Sequence, residues 1–143
     1  MPSDFNHIRI ANKFQTTINF LLTQKEQHAE WITTIAFYKA LHIIEAVFYN
    51  QKSIRHGHNH EDREQYLKRD NKFKNIFKHY RPLWAASTVA RYLEDQSRKK
   101  DYGTFHDYLP IENIEPEILN HRLRQIEKTA KKFLSKKASQ QLK

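Results

Sequence analysis

The sequence predicts an all-α protein, a single-domain antiparallel bundle of about five helices. Only two glycines and four prolines occur in 143 residues, which is too few for the many turns of a β-rich architecture. Apolar residues recur at three- and four-residue steps through most of the chain, and this is the period of a buried helix face. One domain over residues 1–134 is expected, because the length suits one core and no low-complexity segment divides it.

The expected helices are separated by capping residues, prolines and polar breaks, and they span about 4–22, 26 or 29–51, 61–80, 82–93 and 114–133. Ser3 or Asp4 should cap the first helix and Asn59 the third, which has a possible break near Asp70. Pro82 should begin the fourth helix, since its missing N–H is not needed in a first turn. Residues 97–110 are expected to form a loop, and the basic residues 135–143 a frayed tail with little to bury.

The second expected helix carries two adjacent stripes of side chains at helical spacing. The first stripe is apolar and should face the core, and it consists of Phe37, Ala40, Leu41, Ile44, Val47 and Phe48. The second stripe follows one residue later, and it consists of Tyr38, His42, Glu45 and Tyr49. Because one residue turns a helix by about 100°, the second stripe borders the core, where polar groups need partners.

The chain is strongly basic, with a formal net charge of +9, and such a charge favours polyanionic partners, nucleic acid first. The expected nucleic-acid contacts lie on the exposed face of the third helix, and they are Lys68, Arg69, Lys72, Lys74 and Lys78. The chain has no cysteine, which fits a reducing cytoplasm. No apolar run approaches the roughly 18 residues of a membrane helix, so we expect a cytoplasmic protein without a membrane partner.

Side chains suited to acid–base chemistry concentrate between residues 38 and 63. His60 and Arg63 share a face of the third helix, while His42 and Glu45 come from the second helix and Arg91 from the fourth. A histidine can transfer protons near neutral pH, and an arginine can stabilise charge on a phosphate. These five residues are therefore candidate catalytic residues. The structural alternative is that they form internal contacts, such as an Arg91–Glu45 ion pair.

Three histidines alternate in the segment HGHNHED. His56, His58 and His60 could hold zinc or nickel, and a histidine-rich metal-binding bundle is therefore a further alternative. We expect no metal and no other cofactor.

Arg55 lies just before this segment and is followed directly by the polar residue His56. Four residues separate Arg55 from His60. In this pattern the chain resembles HEPN-domain proteins, whose signature is an arginine, four to six residues and a histidine, often with a polar residue after the arginine. The segments AFYKALHIIEA, HNHEDREQYL and residues 87–92 add to the resemblance to an uncharacterised all-α subgroup. It covers about residues 35–92.

The resemblance implies a helical bundle that forms a homodimer, with the arginine and histidine motifs meeting across the interface. Catalytic family members are metal-independent ribonucleases, and others are non-catalytic partners of nucleotidyltransferases or components of CRISPR and toxin–antitoxin systems. It thus adds Arg55 to the candidate catalytic residues. We expect an RNA-binding protein or ribonuclease of a toxin–antitoxin or defence system. A non-catalytic interaction module, with a nucleotidyltransferase-type partner, is the alternative.

Overall fold

The computed structural model describes residues 2–51 and 59–143. The chain begins with two long helices, α1 (Asp4–Leu21) and α2 (Lys25–Tyr49), joined by a short 3₁₀ turn. They are antiparallel, because Asn50 at the end of α2 donates a hydrogen bond to Asp4 at the start of α1. Ser3 caps α1 as predicted, in a reciprocal pair of hydrogen bonds with Asn6.

Two further helices, α3 (His60–Arg69) and α4 (Lys74–Tyr92), follow. Asn59 caps α3 by accepting a hydrogen bond from the Asp62 N–H at 2.9 Å, and the predicted break near Asp70 is present. Helix α4 is antiparallel to α2, because Phe48 packs against Phe73 near one end while Phe37 lies under Arg91 at the other.

The prediction that Pro82 begins a helix is wrong, since α4 continues through Pro82 without a break. The buried face of α4 continues on both sides of the proline, where Tyr80 and Leu83 are fully buried. Packing of these side chains into the core compensates for the hydrogen bond that an interior proline removes.

The loop expected at residues 97–110 contains regular structure. Helix α4 ends at Tyr92 and is capped by Leu93, which adopts a left-handed conformation with φ 58°. A short hairpin of β1 (Glu94–Asp95) and β2 (Lys100–Asp101) follows, and then a one-turn helix, α5 (Phe105–Tyr108). The sequence indicated only the turn residues here, and two-residue strands are too short to show an alternating pattern.

The last predicted helix is present from Ile114 onward, and its first part is unusual. A π-helix spans Ile114–Leu123 and continues as α6 (Arg124–Ala130). Ile114, Ile118, Leu123 and Ile126 are buried in the common core, so this segment closes the bundle over α2 and α4.

The prediction of a frayed tail at residues 135–143 is not met, because this segment contains helix α7 (Lys136–Gln141). Ala138 and Leu142 are buried. The Lys143 main-chain N–H donates to the side chain of Asn12 at 2.8 Å, and its carbonyl oxygen accepts from the buried ammonium group of Lys39 at 2.7 Å. Two apolar side chains and a buried cation thus fix a segment that is mostly polar.

The apolar stripe of α2 forms the centre of the core, as predicted: Phe37, Ile44 and Phe48 are buried, and Leu41 is half-buried. One window of 18 residues within Asp4–Tyr49 has a mean hydropathy of 1.3, which by length and composition would allow it to cross a membrane. By that criterion the expectation of no such stretch is wrong. However, 72% of the window is buried inside the fold, as in a core helix of a soluble protein.

Candidate functional site

An open cleft of about 410 Å³ lies where α2, the start of α3 and the second half of α4 meet. Its lining combines aromatic rings with two arginines and a histidine, and it consists of Phe37, Tyr38, Leu41, His60, Arg63, Trp84, Thr88, Arg91, Tyr92 and Gln96. Three candidate catalytic residues from the sequence, His60, Arg63 and Arg91, therefore share one cleft. Glu45 lies behind Arg63 and does not line the cleft.

Arg63 is held by a buried ion pair with Glu45. The guanidinium Nε donates to the Glu45 carboxylate at 2.7 Å, and the side chains of Arg63 and Glu45 are 12% and 1% exposed. The sequence predicted that Glu45 borders the core and needs a partner there, and its ion-pair partner is Arg63 of α3. The pair fixes the start of α3 on α2 and holds the Arg63 guanidinium in the lining of the cleft.

His60 is enclosed by groups from α3 and α4. Its ring stacks on Trp84, with the ring centres 4.0 Å apart and the planes inclined by 7°. Its Nδ1 lies 2.8 Å from the Tyr80 hydroxyl, and its buried Nε2 faces the Glu64 carboxylate at 3.3 Å. Both ring nitrogens are therefore directed at protein groups.

These contacts favour one tautomer of His60. Burial strongly raises the pKa of Tyr80, with only a partial opposing effect from Arg63, so Tyr80 keeps its proton and can donate it to Nδ1. The proton of the neutral imidazole then lies on Nε2, where it faces the negative charge of Glu64. In the other tautomer, the Nε2 lone pair would face that carboxylate.

The surroundings of His60 also favour the uncharged ring. Burial lowers its pKa below the ordinary value, and the Glu64 carboxylate offsets part of this effect. The positive charges of Arg63 and Arg81 lower the pKa further. His60 should therefore be neutral at physiological pH.

Arg91 forms the opposite wall of the cleft. Its guanidinium donates to the carbonyl oxygen of Ser87 at 3.1 Å and to the Tyr38 hydroxyl at 3.2 Å, and it lies over the rings of Phe37, Tyr38 and Tyr92 at 5.1–5.9 Å. The alternative in which Arg91 pairs with Glu45 is wrong, because Arg63 takes that position. Within residues 2–51 and 59–143, no carboxylate lies within ion-pair distance of Arg91.

His42 does not reach the cleft, in contrast to the expected convergence. Its Nδ1 lies 3.0 Å from Nδ1 of His7 on α1, and its ring packs against Phe14. His42 points toward α1, because its position on α2 is rotated away from the face that meets α3 and α4. Helical spacing placed His42 beside Glu45 but could not assign each residue its neighbouring helix.

Arg55, His56 and His58 lie outside the described residues, so the arginine of the HEPN-like signature and two histidines of the metal alternative are not placed. Within the described residues, no group of three or more histidine or acidic side chains is arranged to hold a metal ion.

The five expected nucleic-acid contacts are all exposed. Three of them, Lys72, Lys74 and Lys78, line a second open cavity of about 610 Å³ together with Lys132 of the chain's last third. Lys68 instead lies 3.5 Å from Glu64, and the remaining residue, Arg69, lies over the ring of Tyr66.

The aromatic side chains of the cleft were not among the residues predicted from the sequence. Tyr80, Trp84, Thr88 and Arg91 follow one face of α4 at steps of four, four and three residues. The sequence does not reveal this pattern, because Pro82 has the signature of a helix start and so divides the face between two expected helices.

The fold and cleft define an all-α helical bundle with an open site built from aromatic rings and arginines. Comparisons with protein-family models, curated proteins and solved structures found no match. The resemblance to HEPN-domain proteins therefore stays a prediction.

Proposed function

We propose that the protein binds single-stranded RNA, with one or more bases in the cleft between α2, α3 and α4. The observation that carries this proposal is that aromatic faces and arginines line the same open cleft. Aromatic rings stack on unpaired bases of any sequence, and arginine pairs with phosphate. The formal net charge of +9 supports the proposal, because it attracts a polyanion.

Tyr92 and Arg91 are best placed to contact a bound nucleotide. Tyr92 is 60% exposed at the rim of the cleft, so its ring is open to a stacking base. Arg91 is held by Ser87 and Tyr38 through uncharged groups, which leaves its positive charge uncompensated. The pair thus offers a stacking surface and a fixed cation side by side.

Replacing Tyr92 by alanine is expected to weaken binding of a single-stranded RNA oligonucleotide by about tenfold, because stacking of one base contributes about 1–3 kcal/mol. Fluorescence anisotropy at fixed salt measures the loss. The control is Phe20→Ala, which removes a 74%-exposed aromatic ring of α1 outside the cleft and should leave affinity unchanged. Equal affinities for both variants and the wild type would contradict the proposal.

Metal-independent RNA cleavage is a second candidate, favoured by the shared position of His60, Arg63 and Arg91 in one cleft. A neutral histidine can accept a proton from the ribose 2′-hydroxyl. In the geometry described above, Tyr80 occupies the accepting nitrogen, so a substrate would have to displace this contact. The arrangement therefore supports binding better than catalysis.

If cleavage occurs, the wild-type protein is expected to cut RNA in the presence of EDTA and to leave 2′,3′-cyclic phosphate ends. His60→Ala should abolish this activity. The absence of any cut RNA with the wild-type protein would exclude cleavage and leave the binding function. A fall in melting temperature of His60→Ala, without a change in turnover, would assign His60 a structural role.

In this proposal the protein works in the cytoplasm as a homodimer, within a toxin–antitoxin or defence system. A nucleotidyltransferase-type protein would be its partner if the chain is non-catalytic. The homodimer, the toxin–antitoxin or defence role and the nucleotidyltransferase-type partner follow from the resemblance to HEPN-domain proteins, whereas the cytoplasmic location follows from the absence of cysteine.

A further inference from the structure

Two open cavities lie next to each other along α4. The first is the cavity already described around Lys72, Lys74 and Lys132. The second, of about 400 Å³, lies between α4 and the turn of the β1–β2 hairpin and is lined in part by Arg81 and Arg98. The two cavities share Phe77 and Lys78, so they adjoin, and together they are called here the basic groove.

The charge of the basic groove is almost entirely positive. No carboxylate lines its first cavity within the part of the chain that the structure describes. The second cavity contains Asp95, which is 1% exposed and accepts hydrogen bonds from Ser97 and from the Arg98 main chain. Its charge is thus engaged in the hairpin turn.

Lys78 and Arg98 are cations of the groove that are available to a ligand. Both side chains are exposed, and among residues 2–51 and 59–143 neither has a carboxylate within ion-pair distance. Arg81, by contrast, donates to Glu64 at 2.7 Å, so part of its charge is neutralised. Lysine and arginine side chains of this kind bind phosphates by charge, without reading bases.

The groove and the cleft lie side by side across the hairpin turn. Gln96 lines the cleft, whereas Ser97 and Arg98 line the groove. The turn is fixed to α4 through a hydrogen bond from the Gln96 N–H to the Thr88 hydroxyl at 3.4 Å. From residue 74 to residue 82, α4 advances by about 12 Å, which is room for about three phosphates at the spacing of one stacked strand.

We propose that the basic groove binds the sugar–phosphate backbone of the same RNA strand whose bases occupy the cleft. This inference rests on the proposed function and extends it, because it assigns Lys78, Arg98 and Lys132 to phosphate contacts. The strand runs along α4, passes the hairpin turn and reaches the cleft at Tyr92. The hairpin turn separates backbone contacts from base contacts.

The test uses the double variant Lys78→Gln/Arg98→Gln and two single-stranded RNAs. The shorter RNA, of about three nucleotides, can occupy the cleft alone, whereas the longer RNA, of about twelve nucleotides, extends beyond it into the groove. Affinity for the longer RNA should fall by about tenfold or more. The slope of log K against log salt should become shallower by about 1.4, which is about 0.7 for each lost phosphate contact. Affinity for the shorter RNA should change less than about twofold.

The matched control is Arg9→Gln/Lys13→Gln, which removes the same charge from exposed positions of α1 outside the groove. Equal losses of affinity for the longer RNA in the two double variants would contradict the proposed role of the groove, because the change in net charge alone would then explain the losses. Equal competition by polyglutamate and by RNA would also overturn it. If Tyr92→Ala has no effect but Lys78→Gln/Arg98→Gln still weakens binding of the longer RNA, the proposed function of the cleft is wrong, whereas RNA binding by the basic groove is supported.

Discussion

Replacing Arg63 by alanine is expected to lower the free energy of unfolding by about 3 kcal/mol. Arg63 is an ion-pair partner of Glu45, whose carboxylate is 1% exposed, and breaking a buried ion pair by removing one of its members is strongly destabilising. Loss of the Arg63 guanidinium, which lines the cleft, should also weaken RNA binding. Urea denaturation at pH 7 measures the stability, and anisotropy measures the binding.

A second variant separates the loss of the pair from the loss of side-chain volume. Glu45→Gln/Arg63→Ala removes both charges, so it should recover part of the stability that Arg63→Ala alone loses. If the double variant is as unstable as the sum of the single variants, Glu45 and Arg63 are not coupled. A change of less than about 0.5 kcal/mol in Arg63→Ala would show that the pair behaves as a surface ion pair.

Much of the fold could be predicted from helical periodicity. The apolar stripe of α2 recurs with the period of one helix face, and it forms the core as predicted. Local capping signals also sufficed at Ser3 and Asn59, because a cap depends on residues only two or three positions away. These features have in common that neighbouring residues alone determine them.

Features that depend on distant contacts could not be predicted. Pro82 has the local signature of a helix start, and only the burial of Tyr80 and Leu83 on either side explains why α4 continues. The tail at 135–143 has little apolar surface of its own. It is ordered by Asn12 and Lys39, which lie more than a hundred positions away in the sequence.

In the candidate site, too, some features follow from nearby residues and others depend on distant contacts. The second stripe of α2 correctly placed Glu45 at the edge of the core, yet His42 on the same stripe faces α1 and not the cleft. Neighbouring helices decide which polar residue of a stripe meets which partner. The stacking of His60 on Trp84 joins residues 24 positions apart on different helices, so helical spacing within one element could not reveal it.

The contact between the buried His79 and the half-buried Arg122 is a second consequence of such packing, because it joins α4 to the π-helix. His79 is 4% exposed, and its Nδ1 lies 3.2 Å from a guanidinium nitrogen of Arg122. Arginine can only donate, so Nδ1 must accept, and this requires a neutral imidazole. Burial, with further contributions from Arg122, His121 and Lys78, lowers the pKa of His79 to about 4.

This contact should make the fold less stable in acid. Between its ordinary pKa of about 6.5 and the folded value of about 4, His79 binds a proton in the unfolded chain but not in the folded one. The free energy of unfolding that the neutral His79 contributes is therefore fully present above pH 6.5. It decreases by up to about 3 kcal/mol as the pH falls to about 4. His60, whose pKa is also lowered, acts in the same direction.

Urea denaturation of the wild-type protein and of His79→Gln between pH 7 and pH 4 tests this expectation. Glutamine can accept the hydrogen bond from Arg122 but does not titrate. Between pH 7 and pH 4 the variant should therefore lose about 2–3 kcal/mol less free energy of unfolding than the wild-type protein. His28→Gln is the control, because His28 of α2 is not among the groups that lower the pKa of His79, so this variant should keep the pH dependence that His79 causes. Parallel stability curves for the wild type and His79→Gln would show that acid lability arises elsewhere in the fold.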